Sequence, residues 1–177
     1  MTGFSELVSL RIYSFSGTAT IEGEAEGDEV LIVLIAGGAT IQVTGEHSAD
    51  FRLSTHGTRA IYLPPGHHYR LTPENRADVA YARARPRAAR PPEAFDGPEL
   101  SIEDYASRLQ LRLSPLGAPS RVATSAGAAA ERLAFVTAPA RLGDGSALER
   151  WGTLGLTAGE SLTLGGDSGE LLIVAAR

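Results

Sequence analysis

His67 and His68 are the one adjacent histidine pair in a chain of 177 residues that holds four histidines. Imidazole titrates near neutral pH and ligates metals, so such a pair can move protons or hold an ion. The pair follows Pro64-Pro65-Gly66, and adjacent residues on a strand diverge, so two loop histidines at a rim are expected. If Tyr69 faces the interior, His68 faces out. Tyr62, Tyr69 and Trp151 supply aromatic faces on which a sugar ring can stack, or which simply fill a core. His47 and His56 fall in polar loop sequence and are expected to be exposed. No Gly-x-Ser-x-Gly elbow and no Ser/His/Asp order supports nucleophilic catalysis. The run Gly165-Gly166-Asp167-Ser168-Gly169 joins two apolar stretches without a helix after it, so it lacks the N-terminus that would hold a phosphate.

Composition narrows the classes. There is no cysteine, hence no disulfide framework, thiolate nucleophile or Cys-ligated metal. That fits a reducing compartment. The N-terminus lacks a basic region followed by an apolar one, so a cytoplasmic location is expected. The run Val30 to Ala36 is too short to span a bilayer, so no membrane association is expected. Net charge is −5, and all 16 basic residues are arginine. Nucleic acid is not an expected partner, because phosphate neutralisation needs clustered cations.

The elements that must position these residues are strands. Val8, Leu10 and Ile12 alternate with polar residues. Glu29 to Ala36 is a continuous apolar run after its first residue, expected as a central strand buried on both faces. Gly37-Gly38 is expected to turn the chain into a hairpin whose return strand carries Ala39, Ile41 and Val43. Further strands are expected at 51–53, 60–63, 69–72 and 79–84. In the second half they fall around 109–113, 121–124, 133–137, 151–156, 162–164 and 171–175. Between the halves, Arg85 to Pro92 is rich in proline and arginine and reads as an extended connector. Ser101 to Ala106 is expected to form one helical turn capped by Ser101.

One strand–turn–strand unit is written twice. Residues 61–72 and 154–165 align at an offset of 93, Ile61 with Leu154, Gly66 with Gly159 and Tyr69 with Leu162. The later strands keep the offset, Val79–Ala82 with Leu172–Ala175. Two similar β domains are implied, 1–88 and 101–177, joined by a linker over 89–100.

Leu63-Pro64-Pro65-Gly66-His67-His68-Tyr69 resembles the second motif of the cupin superfamily, Pro-x-Gly followed three residues later by a metal-binding His. Glu29 to Gly38 with Ala39 to Gly45 resembles the first motif. Residues 15–95 are similar to the N-terminal domain of the 5-deoxy-glucuronate isomerase family of inositol catabolism, which shares its bicupin fold with uronate ketol-isomerases of pectin breakdown. The resemblance implies an all-β fold of two jelly-roll barrels. The family's chemistry uses a metal held in the C-terminal cupin by a His-x-His pair, a Glu and a later His. Residues 99–177 contain no histidine, so that metal site cannot exist there.

The family pattern in the first half maps onto Glu22, Glu24 and Glu29, with Tyr69 at the last His position. Three carboxylates can hold a hard cation such as Mn²⁺, or form a solvated turn. The expectation is a bicupin without the family metal or any cofactor, acting as a small-molecule-binding or structural protein. Its pocket would lie in the first barrel near Glu22, Glu24, Tyr62, His68 and Tyr69, and its ligand would be a small sugar or sugar acid. The alternative is a divergent sugar isomerase with a divalent metal such as Mn or Zn in the first barrel. A third reading is an oligomerisation module, a homo-oligomer through paired cupin sheets.

Overall fold

The computed structural model describes residues 7–88, 90–103, 105–106, 108–117, 120–123, 131–157 and 159–176. Every regular element in it is a β-strand, as period-2 patterning demanded. Among the described residues no helix is long and apolar enough to cross a membrane. The chain divides into two units. The first is Leu7–Pro98 with a short return segment ending at Leu109; the second is Glu99–Glu103 with the chain from Gln110 onward.

The first unit holds β1 (Leu7–Gly17), β2 (Ile21–Glu24), β3 (Glu29–Thr44), β4 (Ala49–Ser54), β5 (Thr58–Leu63), β6 (His68–Ala84) and β7 (Glu93–Asp96). Its strand order is β1-β6-β3-β5-β7, with β2 also on β6 and β4 also on β3. The long strands β3 and β6 pair from Glu29↔Ala84 to Thr44↔His68. Their ladder is irregular between Leu34 and Ala36 and between Gly37 and Ala39. One half of this ladder is flanked by β5 and β1, the other by β4 and β2. Two bent strands therefore serve both faces of the barrel.

The bend also keeps the pattern of burial in phase. Before it, Val30, Ile32 and Leu34 enter the core; after it, Ala39, Ile41 and Val43 do. The parity has switched, because an extra residue at a bulge shifts every later side chain by one position. Gly37 therefore does not end a hairpin, as the Gly-Gly pair suggested. It sits in the strand with φ of 82°, and a Cβ there would collide with the Arg76 carbonyl. A glycine pair signals positive φ, and a bulge needs that as much as a turn does. The expectation that Glu29 to Ala36 is buried on both faces holds: Leu31 and Val33 are as inaccessible as Val30 and Leu34.

The second unit holds β8 (Leu100–Ile102), β9 (Leu109–Pro115), β10 (Ser120–Ala123), β11 (Glu131–Val136), β12 (Ala140–Leu142), β13 (Ala147–Leu148), β14 (Thr153–Leu156), β15 (Ser161–Gly165) and β16 (Glu170–Ala176). They form two sheets, β14-β11-β16-β9-β8 and β10-β15-β12-β13. Leu156, Val136 and Leu171 from one sheet and Ala140 and Leu164 from the other share a core. The duplication read from the sequence reappears as topology. The order β9-β16-β11-β14 repeats β1-β6-β3-β5, and β10-β15-β12-β13 repeats β2, the two bent strands and β4. Gly66 and Gly159, aligned by the repeat, both adopt positive φ, 74° and 86°.

Two local expectations fail. Ser101 lies in β8, a strand paired with β9, rather than capping a helical turn; Leu100 and Ile102 are buried on one face with Ser101 exposed between them, a period of two. The stretch expected as linker, 89–100, contains β7, which adds to the edge of β5. Between Pro92 and Pro98 lies the proline-free run Glu93–Asp96, each residue of which can donate to a ladder.

Candidate functional site

The β2–β6 ladder decides which side chains meet. Ile21 faces Leu71, Glu22 faces Arg70, Gly23 faces Tyr69 and Glu24 faces His68. Directly opposed residues share a face of the sheet and neighbours alternate. Ile21, Leu71 and Tyr69 pack on the core. Glu22 and Glu24 therefore turn the other way, onto an exposed face. There Glu22 pairs with Arg70 at 3.2 Å and Glu24 with His68 at 3.8 Å. His68 points out and Tyr69 in, as their adjacency required.

Inside lies a cavity of about 430 Å³ between β1, β2, the inner face of β6 and Ile32 of β3. Its size is ordinary for a small-molecule site. Four aromatic rings wall it. Tyr13 stacks on Phe15 at 5.8 Å, meets Tyr81 edge-on at 6.3 Å, and Tyr81 is tilted against Tyr69 at 6.1 Å. Ile21, Ile32, Leu71 and Val79 make the apolar remainder. Burial, then the neighbouring Tyr81, raises the Tyr69 pKa well above its ordinary value, and burial raises that of Tyr81. Two arginines border the space. Arg83 is neutralised by Asp28 at 2.9 Å and Glu26 at 3.4 Å. Arg11 is exposed and bonds to Tyr13 Oη at 3.4 Å.

Several expected site residues stand elsewhere. Tyr62 is fully buried on the opposite face of β5 from the cavity side, edge-on to Tyr105 at 5.4 Å. Its hydroxyl donates to Glu29 Oε2 at 3.3 Å. Burial, then the Glu29 charge, raises its pKa. Glu29 is also fully buried, and its Oε1 accepts the backbone N–H groups of Arg108 at 2.7 Å and Leu109 at 2.8 Å. This carboxylate holds the return segment onto the barrel and is not a cavity ligand. His67 is not a rim residue: it is 4% exposed. Its Nδ1 lies 3.2 Å from the Pro65 carbonyl, and the His47 N–H donates to its Nε2 at 3.4 Å. A turn that folds back on itself buries a loop histidine, which local sequence does not reveal. His47 is exposed, as expected.

The residues present do not fit the metal that the cupin motifs imply. At the inward positions of β2 and β6 stand Ile21, Gly23, Tyr69 and Leu71, a set without carboxylate or imidazole. Among the described residues no three His, Asp or Glu side chains converge as an ion would need. The sequence reading missed Arg11, Tyr13, Phe15, Tyr81 and Arg83. The signal was alternation: Arg11, Tyr13 and Phe15 share one face of β1, and Tyr81 and Arg83 one face of β6. Attention to Val8, Leu10 and Ile12 selected the other face. A larger cleft of about 720 Å³ lies on the second unit along β12, β13 and β15. Its lining mixes glycines 117, 143, 165 and 166 with the polar side chains of Arg141, Glu149, Thr163 and Asp167.

The chain resembles solved cupin-type structures over nearly its whole length. An IolB-like protein of Salmonella typhimurium LT2 superposes with a TM-score of 0.72 at 14% identity, covering 97% of this chain and 84% of that one. The bacterial pirin YhhW of Escherichia coli, in complex with nickel(II), gives 0.71 at 12% identity, covering 98% and 83%. Quercetin 2,3-dioxygenase of Acinetobacter baumannii gives 0.66 at 10% identity, covering 98% and 75%. No curated protein matches the chain significantly. Residues 2–112 match the model of the KduI/IolB family. That match spans most of the chain, including every strand of the barrel that holds the aromatic cavity, and the protein therefore belongs to the KduI/IolB family.

Proposed function

We propose that this protein is a small-molecule-binding member of the KduI/IolB family that works without the family metal, with its ligand held inside the first barrel. The observation that carries this reading is the aromatic-walled cavity of about 430 Å³ between β1, β2 and β6. An ordinary barrel interior is filled by side chains. Here Tyr13, 36% exposed, stands at the open side of an internal space instead of closing it. Large exposed aromatics beside a cavity favour ligand contact, because burying such a face releases bound water.

The residue set argues against the metal-dependent isomerase alternative. A carbonyl-polarising ion needs inward donors, and the inward ladder positions carry Gly23 and Tyr69.

The test combines calorimetry with metal analysis. Purified protein is titrated with a panel of small organic acids that includes hexuronates, and Tyr69→Ala serves as the cavity variant. At least one compound binds saturably, and Tyr69→Ala weakens it tenfold or more. Absence of saturable binding across the panel overturns the reading. So does a stoichiometric transition metal that survives dialysis and is lost in Glu24→Ala or His68→Ala.

A further inference from the structure

We infer that the cavity of the first barrel selects an aromatic carboxylate rather than a polyhydroxylated sugar acid. This rests on the reading of that cavity as a ligand site and adds its chemical class.

A hexuronate brings a hydroxyl on nearly every carbon, and each must find a partner or lose hydration energy on burial. The cavity has few partners to give. Glu22 and Glu24 border the cavity, but their carboxylates pair with Arg70 and His68 across the ladder. Tyr69 and Tyr81 lean on each other, their ring centroids 6.1 Å apart. Arg83 is held by Asp28 and Glu26. What remains besides Ser9 and Arg11 is apolar floor and ring.

The rings suit another ring. Tyr13 presents stacked and edge-on contacts at 5.8 and 6.3 Å, the spacings at which aromatic groups attract one another beyond simple burial. The space they border, about 430 Å³, accommodates a planar molecule of one or two fused rings.

Charge supplies the second half of the specificity. Arg11 lies two residues before Tyr13 on the same face of β1, so both border the cavity. Its guanidinium touches the Tyr13 hydroxyl and makes no ion pair among the described residues. In a protein of net charge −5, where Arg83 is locked between acids and Arg52 is paired with Glu74, a cation left open beside an aromatic wall is a carboxylate receptor. A guanidinium fork matches a carboxylate with two parallel hydrogen bonds. The ring then lies among Tyr13, Tyr81 and Phe15 while its acid group reaches Arg11 at the mouth.

The experiment titrates wild type, Arg11→Gln and Tyr13→Ala with 2-naphthoate, 2-naphthamide and glucuronate by calorimetry. Arg11 and Tyr13 are both exposed, so the variants fold, and melting curves verify it. We expect 2-naphthoate to bind saturably and 2-naphthamide at least fivefold more weakly. Arg11→Gln removes that preference, and Tyr13→Ala weakens both ligands. Glucuronate binding in place of naphthoate overturns the inference and leaves the ligand site itself standing. No binding of any of the three overturns the inference. If the wider acid panel also fails, the ligand site falls with it. Naphthoate binding unchanged in both variants overturns it as well, since the ligand would then sit elsewhere.

Discussion

The Tyr69 ring lies against the bare backbone of Gly23, its partner across the β2–β6 ladder. A Cβ at position 23 would come within 2.7 Å of Tyr69 Cε1 and nearer still to Cζ and Oη. Glycine here is a seat for an aromatic ring, which covers the strand where a side chain is missing. Gly23→Ala is expected to push the ring into the cavity and cost about 1–3 kcal/mol, the usual penalty for overpacking. In a Tyr69→Ala background the same change is expected to cost nothing measurable, because the colliding ring is gone. Urea unfolding of the four proteins checks this, and an undiminished cost in the double variant rules the contact out as its source.

Gly37 and Gly17 both have positive φ, 82° and 84°, yet they predict different outcomes. Nothing lies within 4 Å of a Cβ at Gly17, so Gly17→Ala meets only the backbone penalty, about 1–2 kcal/mol. At Gly37 the Arg76 carbonyl occupies the same space. Gly37→Ala must shift the β3–β6 corner and is expected to lose several kcal/mol, enough to deplete soluble protein. Parallel expression and urea melts of the two variants decide it.

Removing Glu29 takes the acceptor from one buried and one half-buried amide. Glu29→Ala leaves the N–H groups of Arg108 and Leu109 without this acceptor and is expected to cost roughly 2–4 kcal/mol. Tyr62→Phe removes one bond of 3.3 Å and should cost about 1 kcal/mol. Amide hydrogen exchange at 108 and 109 should accelerate strongly in Glu29→Ala and little in Tyr62→Phe. Equal acceleration in both would show that the carboxylate does not hold the segment.

Alkaline pH should loosen the first barrel. The pKa values of Tyr62, Tyr69 and Tyr81 are all raised in the folded protein, each chiefly by burial. A raised folded pKa means that the neutral phenol is favoured by folding. The stabilisation is full below the unfolded tyrosine pKa, about 10, and is lost as pH rises toward the folded values. Thermal melts between pH 9 and 11.5 should show a falling Tm above about pH 10, and Tyr69→Phe should fall less steeply. A Tm that stays flat through that range contradicts the burial of these hydroxyls.

The alternation of apolar residues made the strands legible, and the Pro-Pro-Gly turn with its later echo made the duplication legible. Both depend on local backbone rules, which a single sequence carries. Parity across a bulge is different. Nothing before Gly37 announces that the core face of β3 switches from even to odd positions, so the turn and the bent strand gave one signal. The site is legible only in part for a related reason. Motif spacing groups Glu22, Glu24 and Tyr69, and all three border the cavity, but the ladder sets the Tyr69 ring opposite Gly23 while the carboxylates pair with Arg70 and His68. Tyr13 and Tyr81 lie far apart in the chain, and only pairing of β1 with β6 brings their rings within 6.3 Å. Burial of His67 likewise depends on a contact with the loop at His47.

Because β3 and β6 zip together from Glu29↔Ala84 to Thr44↔His68, the longest ladder of the first unit joins distant parts of the chain, and only the β3–β4 hairpin is local. Closing such long loops costs chain entropy before the ladder returns any energy, so a slow, millisecond-to-second collapse is expected for it. A ribosome must release the whole of β6 before the apolar run Val30–Ile35 has both of its neighbours, since β5 pairs only with Val30–Val33 on one side. Until then one edge of that run stays open, an apolar ribbon exposed to other chains.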